Sequence, residues 1–168
     1  LIHNQISSPG GILAVTFTNK AAKEMMIRIS SQLPINTRAM WVGTFHGLCN
    51  RFLRTHYQDA KLPETFQILD TQDQLSAIKR LMRLNNINEE ILPPREVQYF
   101  INANKEIGLR SINVKTHDLN SKKINEIYAK YEKQCQKEGV VDFAELLLRC
   151  FELFKSNRLI LEHYQNRF

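Results

Sequence analysis

Cysteine is scarce in this chain. Cys49, Cys135 and Cys150 are odd in number and show no C-x-x-C spacing, which argues against a disulfide framework or a zinc site and reads as three ordinary cytosolic thiols. Glycine is scarce too, at 6 in 168 residues, and none falls in the phosphate-loop pattern G-x-x-x-x-G-K-[ST]. Pro9-Gly10-Gly11 reads as a turn instead. No apolar run approaches the ~20 residues of a membrane span, and no signal-peptide pattern is present. There is no internal repeat and no low-complexity tract. The chain starts at Leu1 without a Met and stops in mid-pattern at Phe168, as expected of an internal piece of a longer protein.

What is present is ample apolar material. The hydrophobic share is 43%, enough to build a core, and 168 residues suit one domain, or a small domain plus part of another. Lys and Arg number 23 against 17 Asp and Glu, a net charge of +6. That balance favours a polyanionic partner, or forms a solvated basic surface with no partner.

The chain is organised around residues 12–25. Ile12 to Phe17 is a short apolar run and reads as a strand buried on both faces, as in a parallel sheet. Thr18 or Asn19 then offers an N-cap. The helix that follows carries Ala22, Met25, Met26 and Ile29 at helical spacing and ends near Leu33-Pro34. Ile35 to Ala39 is a loop, and Met40 to Phe45 is a second short strand. Strand, helix, strand over about thirty residues is a right-handed parallel βαβ unit. Both strands end in polar turns, Thr16 to Lys20 and Thr44 to Gly47. In this topology the two turns fall side by side on one sheet edge, where ligands bind. Hydroxyls, an amide and an ammonium at a helix N-terminus suit phosphate oxygens.

Ahead of this unit, Leu1, Ile2 and Ile6 read as the tail of a helix. Beyond it, the chain reads as helix throughout. Leu48, Phe52 and Leu53 are the apolar side of the helix after Gly47. Phe66-Gln67-Ile68-Leu69 is a short apolar stretch. Asp70 with Asp73 resembles a capping box, and Leu75, Ile78, Leu81 and Met82 form a stripe that Asn85-Asn86 ends. Pro94 opens the next helix, with Val97, Phe100, Ile101 and Ile107 as its buried side and Gly108 past its end. Asn120 or Ser121 opens a longer helix with the stripe Ile124, Ile127, Tyr128, Tyr131 and Cys135, closed by Gly139. Asp142 and Glu145 make another box-like start, followed by Phe143, Leu146, Leu147, Phe151 and Phe154 on one face. Leu159 to Tyr164 is a further short helix.

Ala14-Val15-Thr16-Phe17-Thr18-Asn19-Lys20-Ala21-Ala22-Lys23-Glu24-Met25 resembles motif Ia of the superfamily 1 DNA helicases of the UvrD/Rep/PcrA type. Trp41-Val42-Gly43-Thr44-Phe45-His46-Gly47 resembles their motif Ib. Phe66 to Asp70 and Gly139 to Leu147 resemble two later blocks, in the same order and at similar spacing. The resemblance covers essentially the whole chain and is greatest to the UvrD branch. It implies a mostly α fold: a helical 1B-type subdomain, residues 44–168, plus a partial RecA-like α/β unit of subdomain 1A, residues 1–43, with two parallel strands and one crossover helix. The family's Walker A loop would precede Leu1 and its Walker B segment would follow Phe168. The parent is then expected to be an ATP-dependent 3′-to-5′ DNA helicase of DNA repair, using ATP and Mg²⁺, bacterial, cytoplasmic and nucleoid-associated. These 168 residues are expected to bind neither ATP nor Mg²⁺ and to be inactive alone. The implied partners are single-stranded DNA and single-strand/duplex junctions.

By the same resemblance Thr16, Phe17, Thr18, Asn19, Lys20, Thr44, His46 and Gly47 line the single-strand path. Each has an alternative. Phe17 either stacks on a base or sugar or closes the core behind its strand. Lys20 meets phosphate or faces solvent. His46 touches DNA or caps its helix, and Gly47 permits close backbone approach or a tight turn. Arg51 and Arg54 share one helical face, open either to DNA or to solvent. Lys79, Arg80, Arg83, Lys122 and Lys123 read as solvated charge, Tyr128 and Tyr131 as core, and Asp142 with Glu145 as capping rather than an acid/base pair. A helicase–nuclease subunit of the RecB or AddA kind, and a stand-alone nucleic-acid-binding helical module, are the competing readings.

Overall fold

A computed structural model describes residues 2, 7–33 and 36–168, without the side chain of Arg38. The helix tail expected over Leu1, Ile2 and Ile6 falls, apart from Ile2, outside the described residues, as does Pro34, while the helix end expected near Leu33-Pro34 is met by the C-cap at Leu33. Within them the chain is mostly α. Its strands form two separate two-stranded sheets, both parallel.

The first sheet is the expected βαβ unit. β1 (Leu13–Thr16) pairs with β2 (Trp41–Thr44), with Thr16 opposite Thr44 at the far end. α1 (Asn19–Gln32) crosses between them. The expectation of a strand buried on both faces fails for β1. Leu13 and Val15 remain exposed and α1 has no buried residue, because two strands and one helix provide cover for only one face. β2 is anchored better. Trp41 is buried against Phe52, Tyr164 and Phe168, with ring centroids 4.6, 5.6 and 5.7 Å away.

β2 passes straight into α2 (Phe45–Thr55). Then come β3 (Gln67–Leu69), α3 (Thr71–Leu84), α4 (Pro94–Glu106), α5 (Leu119–Glu138), β4 (Val140–Asp142), α6 (Phe143–Ser156) and α7 (Arg158–Arg167). β3 and β4 pair in parallel, Gln67 with Val140 through Leu69 with Asp142. This second sheet was not expected from the sequence, where the region reads as helix.

The apolar residues form two cores. One gathers Trp41, Leu53, Phe66, Leu146, Leu153 and Tyr164 from β2, α2, α6, α7 and the residue just before β3. The other gathers Ile78, Met82, Val97, Ile101, Ile127 and Tyr131 from α3, α4 and α5. The stripes expected on α3 and α5 are buried as read, Tyr128 and Tyr131 included. Two stripes need correction. Ile107 is 71% exposed because it is the C-cap of α4, past the last turn that faces the core. On α6 the buried side is Ala144, Leu146, Leu148, Cys150 and Leu153, while Phe143 and Phe151 are exposed.

The helix ends follow local chemistry. Gly108 and Gly139 sit past the ends of α4 and α5 at φ +83° and +66°, a backbone region that costs glycine nothing. α5 starts at Leu119, one or two residues earlier than expected. Asp118 is its N-cap and forms a reciprocal box with Ser121. Asp70 caps α3 by accepting from Gln72 and Asp73 amides.

Candidate nucleic-acid interface

Both strands of the first sheet end at a helix N-terminus, and both N-termini are capped by threonine. Thr18 Oγ1 accepts from the Ala21 amide at 3.1 Å. Thr44 Oγ1 accepts from the Gly47 amide at 3.2 Å. Each hydroxyl keeps its own proton free to donate outward. Thr16 Oγ1 donates to the Thr18 carbonyl at 3.1 Å, which fixes the turn between β1 and α1. Parallel pairing sets Thr16 opposite Thr44, so the turns lie side by side as the topology requires.

Neither α1 nor α2 has an acidic residue in its first turn. The positive ends of both helix dipoles are therefore unopposed by side chains at this edge. Asn19 and Lys20 are exposed there. A side chain on Gly47 would bring its Cβ within 3.2 Å of Thr44 Oγ1, so glycine keeps the cap uncrowded.

Two phenylalanines stand over this edge. Phe17 is 93% exposed and Phe45 53%, and their ring centroids are 6.2 Å apart. Within this chain Phe17 is not part of either core. His46 is exposed as well, 5.9 Å edge-on from Phe143, whose 45% exposure extends the aromatic surface toward α6. The eight residues singled out in the sequence thus surround one sheet edge.

Arg51 and Arg54 do not join it. The Arg51 guanidinium lies 4.0 Å over Trp41 and donates to the Met40 carbonyl. Arg54 lies 3.6 Å over Phe66 and donates to the Glu64 carbonyl. Both residues remain exposed while their guanidinium groups lie on these rings, so their shared face is open to solvent. Arg80 and Arg83 pair with Glu138 and Glu89.

The family model for the UvrD/REP helicase N-terminal domain matches residues 1–168. The chain belongs to the UvrD/REP helicase family. It is 47% identical to DNA helicase II of Escherichia coli K12 over 96% of the chain and 22% of that relative. It is 48% identical to DNA helicase II of Haemophilus influenzae over 96% of the chain and 23% of the relative. ATP-dependent DNA helicase PcrA of Bacillus subtilis is 34% identical, again over 96% of the chain and 22% of the relative. The chain spans about a quarter of the length of these curated UvrD/REP relatives. No helix among the described residues is long and apolar enough to cross a membrane.

Sequence reasoning missed a buried ionic cluster behind the edge. Lys105 Nζ meets Asp142 Oδ2 at 2.7 Å and Glu145 Oε2 at 2.9 Å, with all three side chains buried. Glu145 also binds Arg110 at 2.8 Å and Arg149 at 2.7 Å. Asp142 caps α6 through the Glu145 amide and accepts from Tyr131 and Gln74. The Glu145 side chain does not close a capping box, because three cations hold it. Burial would raise the Glu145 carboxyl, but Lys105, Arg110 and Arg149 together hold it far below the carboxylate range. Burial would lower Lys105, yet Glu145 and Asp142 outweigh it and push the ammonium up. One signal in the sequence foretold this. Val97, Ile101 and Lys105 recur at i, i+4 and i+8, placing a lysine on the buried stripe of α4.

Proposed function

We propose that this chain is part of an ATP-dependent 3′-to-5′ DNA helicase of the UvrD type, acting in DNA repair, and that it guides single-stranded DNA. Residues 1–43 serve as the partial ATPase subdomain 1A and residues 44–168 as the helical subdomain 1B. The strand lies across Thr16, Phe17, Thr18, Asn19 and Lys20 and then Thr44, His46 and Gly47, leading to a single-strand/duplex junction. The observation that carries this reading is the edge of β1 and β2. There two hydroxyl-capped helix N-termini without acidic first turns lie beneath the exposed pair Phe17 and Phe45. Hydroxyls and amides take phosphate oxygens, and the rings take base or sugar faces.

ATP and Mg²⁺ serve the motor elsewhere in the parent. The residues present here do not fit them. Among the described residues no three His, Cys, Asp or Glu side chains gather as a metal site. The Gly10-Gly11 turn is packed on the end of α7, with Arg167 Nε donating to the Gly10 carbonyl at 2.9 Å. No hydrolytic step is assigned to these residues, and the 168-residue piece alone is expected to show no vanadate-sensitive ATPase activity.

The test is single-strand binding by the full-length protein carrying Thr16→Ala with His46→Ala, titrated with a labelled oligonucleotide at several salt concentrations. Each contact is worth ~1 kcal/mol, so the pair should weaken binding by about tenfold or more at each salt concentration. Unchanged affinity at every salt concentration overturns the assignment.

A further inference from the structure

A groove of about 960 Å³ lies between α5, α6, the turn at Ser111–Asn113 and the loop 59–61. Lys155 and Ser156 border it, about 18 Å along α6 from Phe143 and the candidate interface. Its apolar lining is Ala60 and Leu153, both buried, and Ile112, which is 89% exposed. Five cations and three carboxylates stand around that lining. Most of this charge is answered within the wall. Arg110 takes Glu152 at 2.6 Å and Glu132 at 3.3 Å, Arg149 takes Glu145 at 2.7 Å, and Asp59 accepts from Asn157. Lys61, Lys133 and Lys155 are exposed and enter no ion pair among the described residues.

The rim is held in place. Lys61 has φ +55°, a left-handed backbone in which a side chain costs energy and glycine or asparagine is usual. Its carbonyl accepts from Gln136 at 2.8 Å and the Ala60 carbonyl accepts from Arg149 at 3.2 Å, so α5 and α6 fix the loop in that conformation. The strained turn keeps a lysine on the rim.

We infer that this groove docks an acidic segment of a partner protein, an extended peptide whose carboxylates meet Lys61, Lys133 and Lys155 and whose apolar side chain seats on Ala60, Ile112 and Leu153. The unpaired lysines select the sign of the partner's charge and orient its approach. The apolar lining supplies the anchor. Nucleic acid suits the groove less well. Its backbone carries a phosphate at every step and sets some of them against Glu132 and Glu152 in the wall. A peptide can space its carboxylates and place an apolar residue between them. Seated at the far end of α6, it does not compete with a strand on the β1–β2 edge.

The test selects a random peptide library, displayed on phage, on the full-length protein with excess single-stranded oligonucleotide present. Recovered peptides should be rich in Asp and Glu around an aliphatic or aromatic residue. A fluorescent copy of the recovered sequence should lose at least ~10-fold in affinity for Lys133→Glu with Lys155→Glu. Lys122→Glu with Lys123→Glu changes net charge equally outside the groove and should cost under ~2-fold. Ile112→Ser should also weaken the peptide, by removing its apolar seat. All five side chains are exposed, so unfolding midpoints should match that of the unsubstituted protein. Failure to recover any peptide, recovered peptides without an acidic bias, or equal losses in the two lysine pairs overturns the proposal. So does a fluorescent duplex that loses affinity for Lys133→Glu with Lys155→Glu while the peptide does not, which assigns the groove to nucleic acid.

Discussion

The two small sheets share one plan and differ in how they cap their helices. In each, two parallel strands end at helix N-termini, at α1 and α2 in the first and at α3 and α6 in the second. The first sheet uses threonine at both caps, Thr18 and Thr44, and puts no acid in the first turns. The second uses aspartate at both, Asp70 and Asp142, and adds Asp73 and Glu145. An aspartate cap fills the positive end of a helix with the protein's own charge. A threonine cap satisfies an amide but leaves that end neutral and available. The acid-capped sheet has turned inward, with Asp142 and Glu145 locked onto Lys105. The hydroxyl-capped sheet stays open and carries exposed phenylalanines. One edge holds its helix ends with the protein's own charge, and the other leaves them uncharged.

Exchanging the caps breaks this contrast most severely at position 142. In Asp142→Thr the α6 cap survives in kind, but Lys105 loses its closest carboxylate and Tyr131 its acceptor. Taking one of its two carboxylates from the buried ammonium, and an acceptor from Tyr131, should cost ~3–5 kcal/mol, read as a lower midpoint in denaturant unfolding. A loss under ~1 kcal/mol would show that the cluster is not holding the helices together.

Acid should loosen the same sheet more gently. Glu145 is held below its ordinary range when folded, so its stabilisation is complete above the unfolded carboxylate's pKa of 4.5. It is lost as pH falls from there through the depressed folded value. Unfolding midpoints should therefore drop below about pH 4.5, and Glu145→Gln should flatten that decline while lowering stability near neutrality. An unaltered acid limb in the variant would show that Glu145 does not drive it.

These two outcomes concern residues that the sequence disclosed only in part. The βαβ unit, the crossover helix and the shared edge were legible because alternation between an apolar run and a 3.6-residue stripe survives in residues 12–53. The second sheet was hidden because strands of three residues, Gln67–Leu69 and Val140–Asp142, are too short to show a period. The face of α6 was misread because the helix is apolar on nearly every side. Its largest residues, Phe143 and Phe151, drew the stripe outward from the true one at Leu146, Cys150 and Leu153. Arg110 gave no signal at all. It lies in an irregular segment and gains its role only when α5 and α6 bring Glu132, Glu145 and Glu152 to it. The candidate edge was legible because topology alone places two strand-to-helix turns together.

The converse exchange sharpens the contrast at the open edge. Thr44→Asp retains a good cap, so stability should stay within ~0.5 kcal/mol. It puts a fixed negative charge where a phosphate is proposed to lie, and single-strand affinity should fall by ~2 kcal/mol at low salt and less at high salt. Undiminished affinity would mean that the α2 N-terminus meets no phosphate.

The smallest effect expected separates the rings from the caps. Phe17 contributes almost nothing to the core, since its ring is exposed and its one aromatic neighbour among the described residues is Phe45. Phe17→Ala should therefore leave the unfolding midpoint unchanged within ~0.5 kcal/mol. If the ring stacks on DNA, affinity should fall by ~1 kcal/mol for every base composition tested, because any base offers a face. The salt dependence should not change, since no phosphate contact is removed. A changed salt slope would place Phe17 among the residues that position phosphates. A lowered melting temperature would mean that the Phe17–Phe45 pair holds the turn. An affinity loss with neither would leave the ring as a stacking surface set on an edge whose helix ends do the charge recognition.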